Sequence, residues 1–297
     1  MTKTFNAYAK LNLLLDVTAK RPDGYHDIAS VMQTVDLHDE IRITVTPCES
    51  STIALSCENS ADCPGIKWDS TNLVHKAAEC ILKHAKASVS VAISVRKNIP
   101  DGAGMGGGSA DAAAVLNGLN EMLGLGLSSD ELLSLGESLG ADVPFCILGG
   151  TALCEGKGEI LTPLPAPKAY PCVILKPPVS LSTKEIYVLT DKYLEDTDNY
   201  GSLHPDPKAF VSALNSPDPS AVLKTFGNFM EYAALEICPG IGELKNILIR
   251  SGAIVSQMTG SGSAVFGIYK DAEAAKKAFD GIDPSKAKKI NSFFRCP

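Results

Sequence analysis

Pro100-Asp101-Gly102-Ala103-Gly104-Met105-Gly106-Gly107-Gly108-Ser109-Ala110-Asp111-Ala112-Ala113-Ala114 places five glycines within seven residues, from Gly102 to Gly108. Without side chains the backbone can approach a bulky anion, and successive N–H groups can point at phosphate oxygens. The flanks give this stretch its meaning. Val89, Val91, Ile93 and Val95 alternate with other residues up to Lys97-Asn98-Ile99, as in a half-buried strand. Ala112, Leu116, Leu119 and Leu123 then share one face of a helix expected to open near Ser109. A helix that starts there offers unsatisfied N–H groups and the positive end of its dipole. Ser109 can cap that helix, donate to a phosphate or join a metal's shell. No Gly-Lys-Ser/Thr closes the loop, so it is not a Walker loop. The competing reading, glycines that merely permit tight turns, gives no reason for their placement between strand and helix.

Outward from the loop, Ile41, Ile43 and Val45 alternate as a second strand. Ser128 and Glu131 have capping-box spacing at the start of another helix, with Leu132, Leu135 and Leu139 as its apolar face and Gly140 as a left-handed stop. The run Pro163 to Pro171 suggests a domain boundary, dividing the chain into 1–165 and 166–297. Beyond it, Cys172 to Leu175 read as a buried strand and Asp191 to Pro207 as an exposed loop. A helix is expected from Pro239 to Gly252 with Ile241, Leu244 and Leu248 as its stripe. Two strands flank Thr259 to Ser263, and a last helix spans roughly Ala272 to Phe279, with a possible final strand after it. That order predicts an α+β second domain of ferredoxin-like type.

Several residues invite a chemical reading. Asp142 follows a helix end, where a carboxylate can orient a hydroxyl and take its proton; it can equally cap the next short segment. Lys10 interrupts the apolar run Tyr8 to Val17, so it must reach water from an edge strand or find an anion. Beside a catalytic carboxylate it would hold that group charged. Arg21-Pro22-Asp23-Gly24-Tyr25-His26 is a tight-turn sequence that sets Tyr25 and His26 together, suited to base stacking or to ordinary hairpin chemistry. Met258-Thr259-Gly260-Ser261-Gly262-Ser263 can clamp a substrate, or be no more than a permissive hairpin.

The 297 residues are enough for two cores. A net charge of −7 argues against nucleic acid and anionic membrane as partners. Anionic substrates would need local cations such as Lys10, Lys20, Arg21, Arg96 and Lys97. The nine cysteines, Cys296 among them, are an odd count with no Cys-x-x-Cys; they read as reduced and mostly buried thiols in a cytosolic protein. The five histidines lack metal-binding spacing. Neither a signal peptide nor a membrane span is expected.

Taken together, Ala9-Lys10-Leu11-Asn12-Leu13, the loop Pro100 to Ala110, and Met258 to Ser263 resemble the three ordered motifs of the GHMP kinase superfamily. Arg21 to His26, Leu139-Gly140-Ala141-Asp142-Val143-Pro144-Phe145 and Asn228-Phe229-Met230-Glu231 look like signatures of its diphosphocytidyl-methylerythritol kinase family. The resemblance covers nearly the whole chain. It implies a two-domain GHMP kinase fold: an N-terminal mixed α/β domain, a C-terminal ferredoxin-like α+β domain, and an active site in the cleft between them. It also implies ATP-dependent, Mg²⁺-assisted phosphorylation of a cytidine diphosphate-linked methylerythritol at its 2-hydroxyl. Lys10 and Asp142 match the catalytic pair. Pro100, Asp101, Gly102, Ala103, Gly104, Met105, Gly106, Gly107, Gly108, Ser109 and Ala110 match the ATP loop, with Lys97 assisting. Asn12 matches a contact to the erythritol end, Tyr25 and His26 the cytidine site, and Tyr187 the ring that stacks on cytosine. Many relatives carry two hydroxyl residues after the triple glycine. Here Ala110 follows Ser109, so the protein's metal-binding side chains stay unassigned. Two alternatives stand beside this reading: another GHMP kinase acting on homoserine or a mevalonate-type acid, and a nucleotide-binding sensor without catalysis.

Overall fold

The alternating residues of the sequence form strands, and their apolar faces are buried. In a computed structural model, which describes residues 1–295, the elements are β1 (Thr2–Lys20), β2 (His26–Pro47), β3 (Thr52–Cys57), α1 (Leu73–Ala85), β4 (Val89–Arg96), α2 (Gly107–Leu123), α3 (Ser129–Glu137), α4 (Val143–Leu148), β5 (Thr151–Gly156) and β6 (Ile160–Pro163). There follow β7 (Pro171–Lys176), α5 (Thr183–Glu195), α6 (Thr197–Tyr200), α7 (Pro207–Leu214), β8 (Gly227–Asn228), α8 (Met230–Ile237), α9 (Gly240–Arg250), β9 (Val255–Met258), β10 (Val265–Ile268), α10 (Ala272–Gly281) and β11 (Lys288–Phe293). Cys296 lies outside the described residues.

The chain forms two compact units that interleave in sequence. One comprises Met1–Ala9, Leu37–Asp101 and Gly106–Gly149; the other comprises Lys10–Asp36, Gly102–Met105 and Gly150 onward. The proline-rich run 163–171 therefore lies inside the second unit.

In the first unit, β4 pairs parallel with β3 and antiparallel with the far half of β2, Ile41 opposite Val95 and Ile43 opposite Ile93. Those four side chains are buried, as their alternation requires. α2 is covered more completely than one stripe predicts: every residue from Ala110 to Leu116 is buried, because alanines admit close neighbours on all sides. It opens at Gly107 rather than Ser109, with Gly106 left-handed at its N-cap. α3 has the full capping box of Ser128 and Glu131, worth about 1 kcal/mol. Gly140 does not make its left-handed stop. α3 ends at Glu137, Ser138 stays right-handed, and the Gly136 carbonyl accepts from both Leu139 and Gly140.

In the second unit, the near half of β2 pairs antiparallel with β5, β5 with β6, and β1 runs parallel to β8 through Leu14 and Leu15. A separate sheet has the order β11-β7-β10-β9, antiparallel throughout. Numbered along the chain this is 4-1-3-2, which fits the ferredoxin-like type expected from the succession of elements. Its core draws in Val173, Leu175, Ile241, Leu244, Leu248 and Val265.

Two further expectations are corrected. Residues 191–207 are not an exposed loop: α5 continues to Glu195, and α6 and a turn at 201–203 follow. Tyr193 and Tyr200 meet edge to face at 4.7 Å, and burying rings outweighs a polar composition. Of the eight described cysteines only Cys63, Cys154 and Cys172 are buried; Cys57 and Cys238 close elements, where cover is partial.

Candidate active site

Thr259, in the hairpin that the sequence left open, is the hub around which the second unit's part of the site is built. Its hydroxyl accepts from the Asn12 amide at 3.0 Å and donates to Asn12 Oδ1 at 3.3 Å. The Lys10 amide donates to the Met105 carbonyl at 3.1 Å, and the Ala264 amide to that of Ala103 at 3.3 Å. Asn228 Nδ2 donates to the carbonyls of Met258 and Gly260, both at 2.9 Å, and Gln257 Nε2 to that of Asn12 at 3.0 Å. β1, the glycine loop and the β9–β10 hairpin thus hold one another. Packing is tight enough to dictate residue type. A Cβ on Gly104 would lie 2.2 Å from the Thr259 carbonyl oxygen, and one on Gly260 would lie 2.7 Å from that of Gly104. Both glycines have positive φ, +73° and +57°.

Lys10 is not a water-facing edge lysine. It is 4% exposed, in a strand buried on both faces from Ala9 to Val17. Its Nζ donates to Asn12 Oδ1 at 2.7 Å, and Asn12 Nδ2 donates to Ser30 Oγ at 2.8 Å. Asn12, expected to touch substrate, therefore spends its amide on orienting Lys10 within the protein.

In the first unit, Asp142 occupies the N-cap position of α4, but its side chain makes no capping hydrogen bond. Pro144, early in the helix, has no N–H to be capped. The capping reading thus has no hydrogen bond behind it. Gly106, Gly107, Gly108 and Ser109 supply the N-cap and first turn of α2, where N–H groups lack helical acceptors.

Lys97 is committed elsewhere than the sequence reading placed it. Its ammonium is buried against two carboxylates, bonding Asp39 and, at 2.7 Å, Asp111. Asp39 also accepts from the amides of Asn98 and Ile99, at 2.5 and 2.8 Å. This cluster ties the end of β4 to α2 on either side of the loop. One cation cannot neutralise two dry carboxylates. Burial accordingly raises the Asp111 carboxyl from 3.8 to about 8, against the pull of Lys97 and with the push of Asp39. For Lys97, burial pulls the ammonium down, but the two carboxylates more than offset it and raise its pKa. The proton that Asp111 retains gives a pH signature. Between 3.8 and about 8 the folded chain binds more proton than the unfolded one, so this contribution to stability falls as pH rises through that window. Asp111→Asn, which cannot ionise, should unfold in urea with a shallower decline between pH 5 and pH 8. A decline parallel to that of the unaltered protein would refute the assignment.

At the start of β2, Arg21 to Tyr25 form the predicted turn, with the Arg21 amide bonded to the Tyr25 carbonyl at 2.8 Å and Gly24 left-handed. The turn does not set the two rings side by side. Tyr25 is 62% exposed with the Lys157 ammonium 5.3 Å from its ring centre, whereas His26 is buried. His26 stacks instead on Tyr187 of α5, ring centres 4.6 Å apart.

The sequence reading missed Asp39 and Asp191 and gave Asp111 no role. An acid in an alanine run was the available signal for Asp111, since a carboxylate on a buried helix needs a partner. Asp191 stood four residues after Tyr187, one helical turn away, but in a segment read as loop.

Comparison with known proteins gives the same direction. Residues 72–150 match the family model for the GHMP kinases N terminal domain and residues 210–288 that for GHMP kinases C terminal. The chain is 40% identical to 4-diphosphocytidyl-2-C-methyl-D-erythritol kinase of Geobacillus kaustophilus, over 95% of this chain and 93% of that one. It is 42% identical to the protein of the same name from Caldicellulosiruptor saccharolyticus, over 93% and 91%. A crystal structure of 4-(cytidine 5'-diphospho)-2C-methyl-D-erythritol kinase superposes with a TM-score of 0.78 at 30% identity, covering 99% of this chain and 100% of that one.

Proposed function

The chain belongs to the 4-diphosphocytidyl-2-C-methyl-D-erythritol kinase family of the GHMP kinases, and from that premise we propose that it transfers the γ-phosphate of ATP to the 2-hydroxyl of 4-diphosphocytidyl-2-C-methyl-D-erythritol. The reaction would serve non-mevalonate isoprenoid precursor synthesis. The observation that carries the reading is the hydrogen-bonded set of segments 10–12, 102–105 and 257–264, in a chain 40% identical along 95% of its length to such a kinase.

Phosphoryl transfer to an alcohol needs positioning and charge stabilisation more than covalent chemistry. Bare amides of residues 102–108, the α2 N-terminus and the Ser109 hydroxyl suit the β- and γ-phosphates. Pro100 and Asp101 lead into this cradle, and Ala110 and Met105 contribute backbone only. Asp142 accepts the proton of the attacking hydroxyl. Lys10, aimed by Asn12, favours the nascent alkoxide. Lys97 acts by fixing the loop's two ends. His26 reads the cytosine edge, with Tyr187 and Tyr25 as the stacking rings.

Among the described residues no group of three or more His, Cys, Asp and Glu side chains stands where it could hold a metal ion. Ser109 in the first turn of α2 and Asp142 at the start of α4 would each offer an oxygen to Mg²⁺ carried on the nucleotide. Bound there, Mg²⁺ would neutralise charge on the phosphates. No described helix is long and apolar enough to cross a membrane. We place the enzyme in the cytosol, with small molecules rather than nucleic acid or membrane as partners.

ADP release should depend on the diphosphocytidyl substrate and not on homoserine or mevalonate, and CDP should compete with that substrate. ADP release with homoserine or mevalonate alone would move the chain to another GHMP activity.

A further inference from the structure

Asp191 stands on α5 one turn beyond Tyr187, and both reach the same histidine. The Tyr187 ring lies over that of His26 with the planes 21° apart. One Asp191 oxygen lies 2.7 Å from His26 Nε2, and the other is 2.5 Å from Lys20 Nζ. The His26 and Asp191 side chains are 6% and 16% exposed, so water competes little for this bond. Burial by itself would raise the Asp191 carboxyl, but His26 and Lys20 together hold it below the ordinary carboxylate value. An ionised carboxylate only accepts hydrogen bonds, so the proton between the two groups sits on Nε2. In the neutral imidazole Nδ1 is then an acceptor.

We propose that Asp191 is a specificity-determining positioning residue: by keeping the proton on His26 Nε2, it makes Nδ1 an acceptor for the exocyclic amino group of cytosine and a poor neighbour for the carbonyl that uracil carries there. This inference rests on the cytidine reading given above. A uracil would set two acceptors face to face, and an unmet polar group in a shielded site lowers affinity by about tenfold to a hundredfold. Lys20 serves by keeping Asp191 ionised.

The test compares kcat/KM for the cytidine-linked substrate and its uridine-linked analogue. In Asp191→Asn, Lys20 takes the amide oxygen and leaves the NH₂ group facing Nε2, which moves the ring proton to Nδ1. The cytosine-over-uracil ratio should fall at least tenfold, chiefly through KM for the cytidine substrate, with KM for ATP little changed. Asp191→Glu should restore part of the ratio. An unchanged ratio in folded Asp191→Asn overturns the proposal. A second measurement needs no change at 191. The ¹⁵N spectrum of histidine-labelled protein, with His26 assigned from its absence in His26→Gln, should report the Nε2–H tautomer, and an Nδ1–H ring overturns the proposal. If the unaltered protein turns over neither pyrimidine-linked substrate, the substrate reading falls and this inference with it. Turnover of the cytidine substrate with no effect at 191 sinks this inference alone.

Discussion

Asp142→Asn should cut turnover by ~10²-fold or more while leaving nucleotide affinity and thermal stability close to those of the unaltered protein. The argument has two parts. The side chain makes no capping hydrogen bond to α4, so its replacement removes no cap bond, and asparagine keeps its size and shape. An amide can still orient the substrate hydroxyl but cannot accept its proton. Single-turnover phosphoryl transfer, measured beside ATP binding by calorimetry, separates these effects. If Asp142 and Lys10 act as a unit, the double variant Lys10→Ala, Asp142→Asn should be hardly slower than the worse single one, because such losses do not multiply. Near-normal turnover in Asp142→Asn would remove this residue from the base role.

Gly104→Val is expected to be the most damaging single change in the loop, for steric rather than chemical reasons. A valine at φ +73° costs roughly 1–3 kcal/mol in backbone strain. Its Cβ would also lie 2.2 Å from the Thr259 carbonyl oxygen, so the loop and hairpin must part, for about 1–3 kcal/mol more. Because Thr259 also bonds the strand that carries Lys10, ATP affinity and turnover should fall together. Gly108→Ala is the internal control for stability. That residue is helical, a Cβ there would be 3.7 Å from Leu73 Cδ1, an ordinary contact, and alanine favours helix. Chemical denaturation of both variants checks the contrast; equal stability of the two would show that the close approach at 104 is not a constraint.

Much of the site was legible because its signals are local. The strand before the loop, the helix after it and the capping box at Ser128 each depend on residues within a turn or two, which periodicity and cap chemistry register. The errors share a cause as well. Segment 191–207 looked like loop by composition, but its own Tyr193 and Tyr200 meet each other and Tyr232 of α8, a ring distant in sequence. Lys10 can be read as a surface lysine from sequence, since Asn12, which accepts from its ammonium, is itself oriented by Ser30 only when β1 and β2 are assembled.

The residue pattern by itself determined a glycine loop between strand and helix and a ferredoxin-like order of elements in the second half, and it offered a carboxylate and a lysine as candidates for phosphoryl transfer. Tertiary structure alone decided that Thr259 binds Asn12 from 247 residues away, that Lys97 is spent on Asp39 and Asp111, and that Asp191 holds His26 across 165 residues. A helical or strand period reports on neighbours a few ångströms along the backbone. Which buried charge meets which partner depends on chain closure over hundreds of residues, where the cost of leaving a polar group dry selects the pairing.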